Sequence, residues 1–153
     1  MKFHSTVIFV REVGQSKDFY TRLLDFSVEH DFGENVILSN GLTIWEILDN
    51  HIISKQLETS MESNRFELYF ESEDIDTKCN LLEKAGIKFL HKIHEEPWGQ
   101  RTFRFFDPDD HLIEIGEPLE VFVSNMSRRG MSMKQISEQS GIPIDTLVTL
   151  IQK

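Results

Sequence analysis

Apolar residues recur with two periods along this chain, and the order of those periods repeats. Residues 3–10, FHSTVIFV, are short, apolar and β-branched, the pattern of a strand. In VGQSKDFYTRLLDF, Val13, Phe19, Tyr20, Leu23 and Leu24 fall at near-helical spacing, with Ser16 or Gln15 near the start. SVEHDF, NVILSN and LTIWEILD then read as three strands, separated by turns at GEN and NG. The sequence starts over near Asn64. In RFELYFES, Phe66, Leu68 and Phe70 alternate with Glu67, Tyr69 and Glu71, the mark of a half-buried strand. DIDTKCNLLEKAG predicts a helix with Asp74 or Asp76 at its start and Gly86 at its stop. IKFLHKI, RTFRFF and HLIEIGE predict three more strands.

Each half therefore reads strand, helix, strand, strand, strand. An internal repeat limits the fold sharply. The expectation is an α+β class in which two βαβββ units, 1–49 and 64–116, form a cupped mixed sheet with a ligand cleft. NHIISKQLETSMES, within 50–63, is the linker, and the repeat ends near Pro118. A sheet with one helix on its outer face leaves its inner face open, and two such faces enclose a space where ligands bind. Residues 119–153 change character. LEVFVSNMSRRG, MSMKQISEQSG and IPIDTLVTLIQK predict a C-terminal extension of three short helices, with Gly130 and Gly141 as stops and Pro143 at a start. Ile136, Ser137, Gly141, Ile142, Leu147 and Leu150 stand where a helix-turn-helix keeps its core and turn. The third helix has no Lys or Arg before Lys153, so a helical appendix packed on its own domain or on a partner subunit is favoured over a DNA reader.

Composition narrows the partners. The 16 basic and 26 acidic residues give a net charge of −10, which disfavours nucleic acid and anionic membrane. The single cysteine, Cys79, permits no intrachain disulfide, and the start of the chain has too short an apolar run for a signal peptide. A cytoplasmic protein binding a small molecule, with neither nucleic acid nor membrane as partner, is expected.

Glu114 stands between Ile113 and Ile115 in FRFFDPDDHLIEIGEP, so it faces either solvent or a cavity. A βαβββ repeat ending in DPDDHLIEI resembles the vicinal oxygen chelate superfamily of glyoxalase, bleomycin-resistance and extradiol dioxygenase types. The resemblance covers residues 1 to about 118 and is most specific in DFYTRLLDF and PWGQRTFRFFDPDDHLIEI. Where the family has Gly after Asp-Pro-Asp, this chain has Asp110, a residue that tolerates the left-handed turn. The resemblance implies inward ligand positions on the first and last strand of each unit. Glu46, Glu67 and Glu114 match three of them, and Ser5 the fourth, with His4 one residue out of phase. Glu46, Glu67 and Glu114 would hold a divalent metal. Three carboxylates and a Ser are hard donors suited to Mg²⁺, Mn²⁺ or Ca²⁺, and the ions the resemblance implies are Mn, Mg, Ni or Zn. The alternative is a degenerate site in which Arg104 neutralises the carboxylates.

Glu114 and Glu67 are the candidate catalytic groups, as metal ligands or as a general base. Arg104, Thr102, Tyr69 and Trp98 are the candidate substrate contacts: Arg104 as clamp or ion-pair partner, Trp98 as a stacking surface or a cap on the core. Trp45, opposite in phase to Glu46, reads as core. His91 and His94 read as facing opposite sides of a strand, and Asp107 and Asp109 as turn residues. The function implied is a small-molecule enzyme, a lyase or isomerase working through an enolate or oxyanion. The alternative is a non-catalytic protein that sequesters its ligand. A homodimer is expected in either case.

Overall fold

The computed structural model describes residues 5–49 and 67–151. The expected linker at 50–63, His4 and Phe66 lie outside the described residues. The chain divides into two compact units, Met1–Phe66 with Asp107–His111, and Glu67–Phe106 with Leu112–Lys153.

In the first unit β1 (Thr6–Val10) is followed by α1 (Val13–Leu23), then β2 (Val28–Asp31), β3 (Asn35–Leu38), a 3₁₀ turn (Ser39–Gly41) and β4 (Leu42–Glu46). The sheet order is β1-β4-β3-β2. β1 and β4 run parallel and the other pairs antiparallel, so the sheet is mixed and open. Strand alternation assigns the faces. Ile8, Val10, Val36, Leu38, Leu42 and Ile44 are buried together with Phe19, Tyr20 and Phe26 of the helix layer. Val7 and Phe9 share the opposite phase, and Ser5 precedes the strand.

The turn Asp107–His111 belongs to this unit; its Asp107 and Asp109 are buried, while Asp110 is exposed. The Asp107 carboxylate accepts from Tyr20 Oη at 2.9 Å, and from the backbone N–H groups of Asp109 and His111. Asp109 accepts from the Arg11 N–H, from Arg11 Nε at 2.7 Å and from Ser16 Oγ. Asp110 takes the left-handed conformation, φ 62°, so the turn closes without the family's glycine.

The second unit repeats the order: β5 (Leu68–Glu71), α2 (Ile75–Lys84), β6 (Phe89–Glu95), β7 (Arg101–Phe106) and β8 (Leu112–Gly116). Its sheet order is β5-β8-β7-β6, with β5 and β8 parallel. The Asp74 side chain caps α2 by accepting from the Thr77 N–H. Ile75, Cys79 and Leu82 of α2 and Phe103, Phe105, Ile113 and Ile115 of the strands are buried on one face. Three further helices follow: α3 (Leu119–Arg128), α4 (Met133–Ser140) and α5 (Ile144–Ile151). Ser132 and Gln135 form a reciprocal capping box at the start of α4, and Gly141 ends it at φ 74°. Phe122, Val123, Met126, Ile136 and Leu147 form a buried cluster among these helices. In the structure their apolar faces meet each other, so they carry a small core.

Candidate active site in the second unit

On the face of this sheet away from α2, one row of side chains crosses all four strands. Tyr69 pairs with Glu114 in the parallel β5–β8 ladder, Glu114 with Arg104 across β8–β7, and Arg104 with His91 across β7–β6. Residues in register on neighbouring strands have their Cβ atoms about 5 Å apart. The row therefore brings phenol, carboxyl, guanidinium and imidazole together with no loop involved.

Arg104 is its hub. Its Nε donates to Glu67 Oε2 at 3.0 Å, its Nη1 to Glu96 Oε1 at 2.9 Å, and its Nη2 to Glu114 Oε2. Nη1 also lies 3.2 Å from His91 Nε2. Thr102 is fully buried, and its hydroxyl donates to the same Glu96 oxygen at 3.0 Å. Beyond the row, Trp98 Nε1 donates to Gln100 Oε1, and Gln100 Nε2 donates to Tyr69 Oη and to the Glu117 carbonyl. Trp98 and Tyr69 keep much of their ring surface exposed.

The charges decide the protonation. Glu67, Glu96 and Glu114 share one guanidinium, so two negative charges remain uncompensated if all three ionise. Glu114, 4% exposed, is the most buried of them. Burial and the neighbouring Glu67 outweigh Arg104 and push its carboxyl up to about 7. Burial also acts on Glu96, but the Arg104 and Thr102 hydrogen bonds prevail and hold it below the ordinary carboxylate range. For Arg104, burial is outweighed by Glu96 and Glu67, which raise it further and keep it a permanent cation. Burial also raises the Tyr69 phenol. One carboxyl thus titrates near neutrality beside a fixed positive charge, the condition for moving a proton at physiological pH.

Glu67, Tyr69, Thr102, Arg104 and Glu114 lie together in this unit, and Trp98 joins them through Gln100. Glu46 belongs to the first unit, and its phase differs from the expected one. It follows Leu42 and Ile44 on the helix-facing side, and its Oε2 accepts from the Val13 N–H at 2.8 Å. The N-cap of α1, Glu12, makes no side-chain cap, so Glu46 supplies a negative partner to that helix start. Trp45 accordingly falls on the opposite face, edge-on to Phe9, and is not core. The corresponding row of the first sheet, Phe9–Trp45–Asn35, carries no charge.

His91 and Glu96 were missed by sequence reasoning. Strand alternation puts His91 and His94 on opposite faces, but β6 shifts register between them, and their rings meet edge to face at 6.1 Å. The only signal was the H-x-x-H spacing itself, which means little on a regular strand. Glu96, between β6 and Pro97, lies outside any periodic pattern that would mark it.

The donor set does not fit a divalent ion as arranged. Each of the three carboxylates here is engaged by a guanidinium nitrogen, and Glu46 is committed to a helix start. Among the described residues no group of three or more His, Cys, Asp or Glu side chains is placed to hold a metal.

Residues 3–120 match the family model of the glyoxalase-like domain. A crystal structure of a protein of unknown function from Agrobacterium tumefaciens str. C58 is 35% identical, with a TM-score of 0.69, and the match covers 78% of this chain and 95% of that one. A lactoylglutathione lyase from Agrobacterium tumefaciens matches at 18% identity and TM-score 0.57, over 76% of this chain and 93% of the other. A genomically encoded fosfomycin resistance protein from Listeria monocytogenes matches at 17% identity and TM-score 0.59, over 79% and 97%. At these last two identities the likeness concerns the fold alone. The comparison with curated proteins gives no significant match.

Proposed function

Because the chain belongs to the glyoxalase-like domain family, we propose that it is a small-molecule enzyme whose chemistry is proton transfer at Glu114. The carrying observation is the buried Glu114 carboxyl, raised to about 7 and paired in register with Arg104. The proposed substrate is a small compound bearing a carbonyl or a similar oxygen, whose reaction passes through an enolate or oxyanion. Ionised Glu114 takes the substrate's proton. Arg104, a permanent cation one strand away, offsets the negative charge that develops on the substrate oxygen. Tyr69 and Trp98 offer exposed ring surface for the body of the ligand. His91, against the guanidinium, steadies Arg104.

A second reading has its own observation. The guanidinium is engaged by three carboxylates, which suits a neutralised site in a protein that binds and sequesters a ligand. One experiment separates the two. A panel of small carbonyl and carboxylate compounds is screened by thermal shift, and each hit is incubated with the protein and followed for conversion. The enzyme reading expects turnover that falls at least about a hundredfold in Glu114→Gln while binding persists. Ligands that bind tightly and emerge unchanged from the wild-type protein favour sequestration.

A further inference from the structure

Three carboxylates surround one position in the second unit, and that position is filled from within the chain. Glu67 precedes β5, Glu114 lies on β8 and Glu96 follows β6. Each meets a different nitrogen of the same guanidinium, Nε, Nη2 and Nη1 respectively. A guanidinium is flat, with its N–H groups directed outward around its edge, so carboxylates on all sides of it stand further apart than those around a metal ion. Among the described residues the acids are not placed as a metal group. The donors are nevertheless those of a cation site: hard oxygens on three segments, with the His91 Nε2 facing the same nitrogen as Glu96.

We propose that Arg104 is the resident cation of this site, and that the Glu67–Glu96–Glu114 cup takes a divalent ion only when Arg104 is removed. Two consequences follow. The wild-type protein gains nothing from divalent metal, because an incoming ion must expel a guanidinium tied to three carboxylates. Without Arg104, three acids face each other with no counter-charge, and a divalent ion supplies more positive charge than the side chain it replaces. The carboxylate stems then need only draw inward. The inference concerns the same residues as the proposed function but does not depend on turnover, so its test reads metal binding alone.

Full-length wild type, Arg104→Ala and Arg104→Gln are purified, stripped with EDTA and melted with and without Mn²⁺ or Ca²⁺ at about 1 mM, well above a moderate dissociation constant. Metal content is measured by plasma emission. The wild-type melting temperature is expected to stay unchanged. Arg104→Ala is expected to melt lower without metal and to regain about 4 °C or more with Mn²⁺. Adding Glu114→Gln should abolish the gain. Should Arg104→Ala not fold without metal, Arg104→Gln, which keeps a neutral donor, reports in its place. Either variant produced with Mn²⁺ should retain one ion per chain. The proposal is overturned if wild type carries about one equivalent of divalent metal that Glu67→Gln or Glu114→Gln releases. It is equally overturned if neither Arg104 variant binds Mn²⁺, or if the gain survives Glu114→Gln.

Discussion

A buried acid that keeps its proton in the folded state leaves a signature in stability. Glu114 is raised from an ordinary value of 4.5 to about 7. Between those values the folded chain holds a proton that the unfolded chain has lost, so stability falls as pH rises. Its favourable share is complete below the unfolded pKa and gone once pH passes the folded one. Glu114→Gln keeps the shape and removes the titration. The variant should therefore gain on wild type as pH goes from 5 to 8, by up to about 3 kcal/mol if the whole shift is expressed. His111 slopes the same way. Burial lowers it, but the Asp107 hydrogen bond and charge outweigh burial and raise it, so its stabilisation is present at low pH and fades as pH rises. That slope is common to both proteins and cancels in the difference. Urea melts at several pH values give the comparison; a wild-type minus variant difference that is flat from pH 5 to 8 would show that Glu114 ionises as an ordinary carboxylate.

The elements of both repeats were legible because their apolar periods are clean. Val36, Ile44, Phe103, Phe105 and Ile113 all lie in buried strand positions. The site was legible where a strand is regular: Glu67, Tyr69, Arg104 and Glu114 follow simple alternation. It failed at two kinds of place. Glu46 ends its strand, and the phase there was read from a family match rather than from Leu42 and Ile44 beside it. His91 lies next to a register shift, which no alternating pattern can reveal. Loop-to-helix packing was equally hidden. Gly99, in the turn between β6 and β7, has φ 97°, and a Cβ built there would stand 2.8 Å from Met126 Sδ on α3. Met126 is itself fully buried, so it cannot simply swing away. Gly130 has a similar φ of 85° but nothing within 4 Å. Gly130→Ala should cost about 1 kcal/mol for backbone strain alone, and Gly99→Ala about 1–3 kcal/mol more for the clash. In a Met126→Ala background the two alanine substitutions should cost about the same. If the gap between them persists there, the Gly99–Met126 contact is not its cause.

At the scale of the molecule, the three C-terminal helices begin where the family match ends, near residue 120. They hold a small core of their own, yet they are also tied to the second sheet. Met126 packs on Gly99, Asn125 Nδ2 donates to Glu117 Oε1, Arg129 pairs with Glu95 at 3.0 Å, and Gln139 Nε2 donates to the Pro97 carbonyl. The polar ties are mostly exposed and contribute little each. The covered surface of the β6–β7 turn contributes more. Ending the chain after Pro118 uncovers that turn, so the truncated protein should melt several degrees lower, at about 2–4 °C per kcal/mol lost for a chain of this size, or show a sticky surface by dye binding. The same helices include the α4–α5 pair that could suggest a DNA reader. α5 carries an Asp in its first turn and no basic residue in its last, and Ile144 and Val148 are its exposed apolar positions. With a net charge of −10, the full chain is expected to show no salt-dependent affinity for duplex DNA. A fluorescence titration of labelled duplex at low and moderate salt, run beside the melting of the truncated protein, tests both halves of the argument. Unchanged melting and solubility after truncation, together with duplex binding that weakens steeply as salt rises, would mean that these helices serve nucleic acid rather than the sheet they rest on.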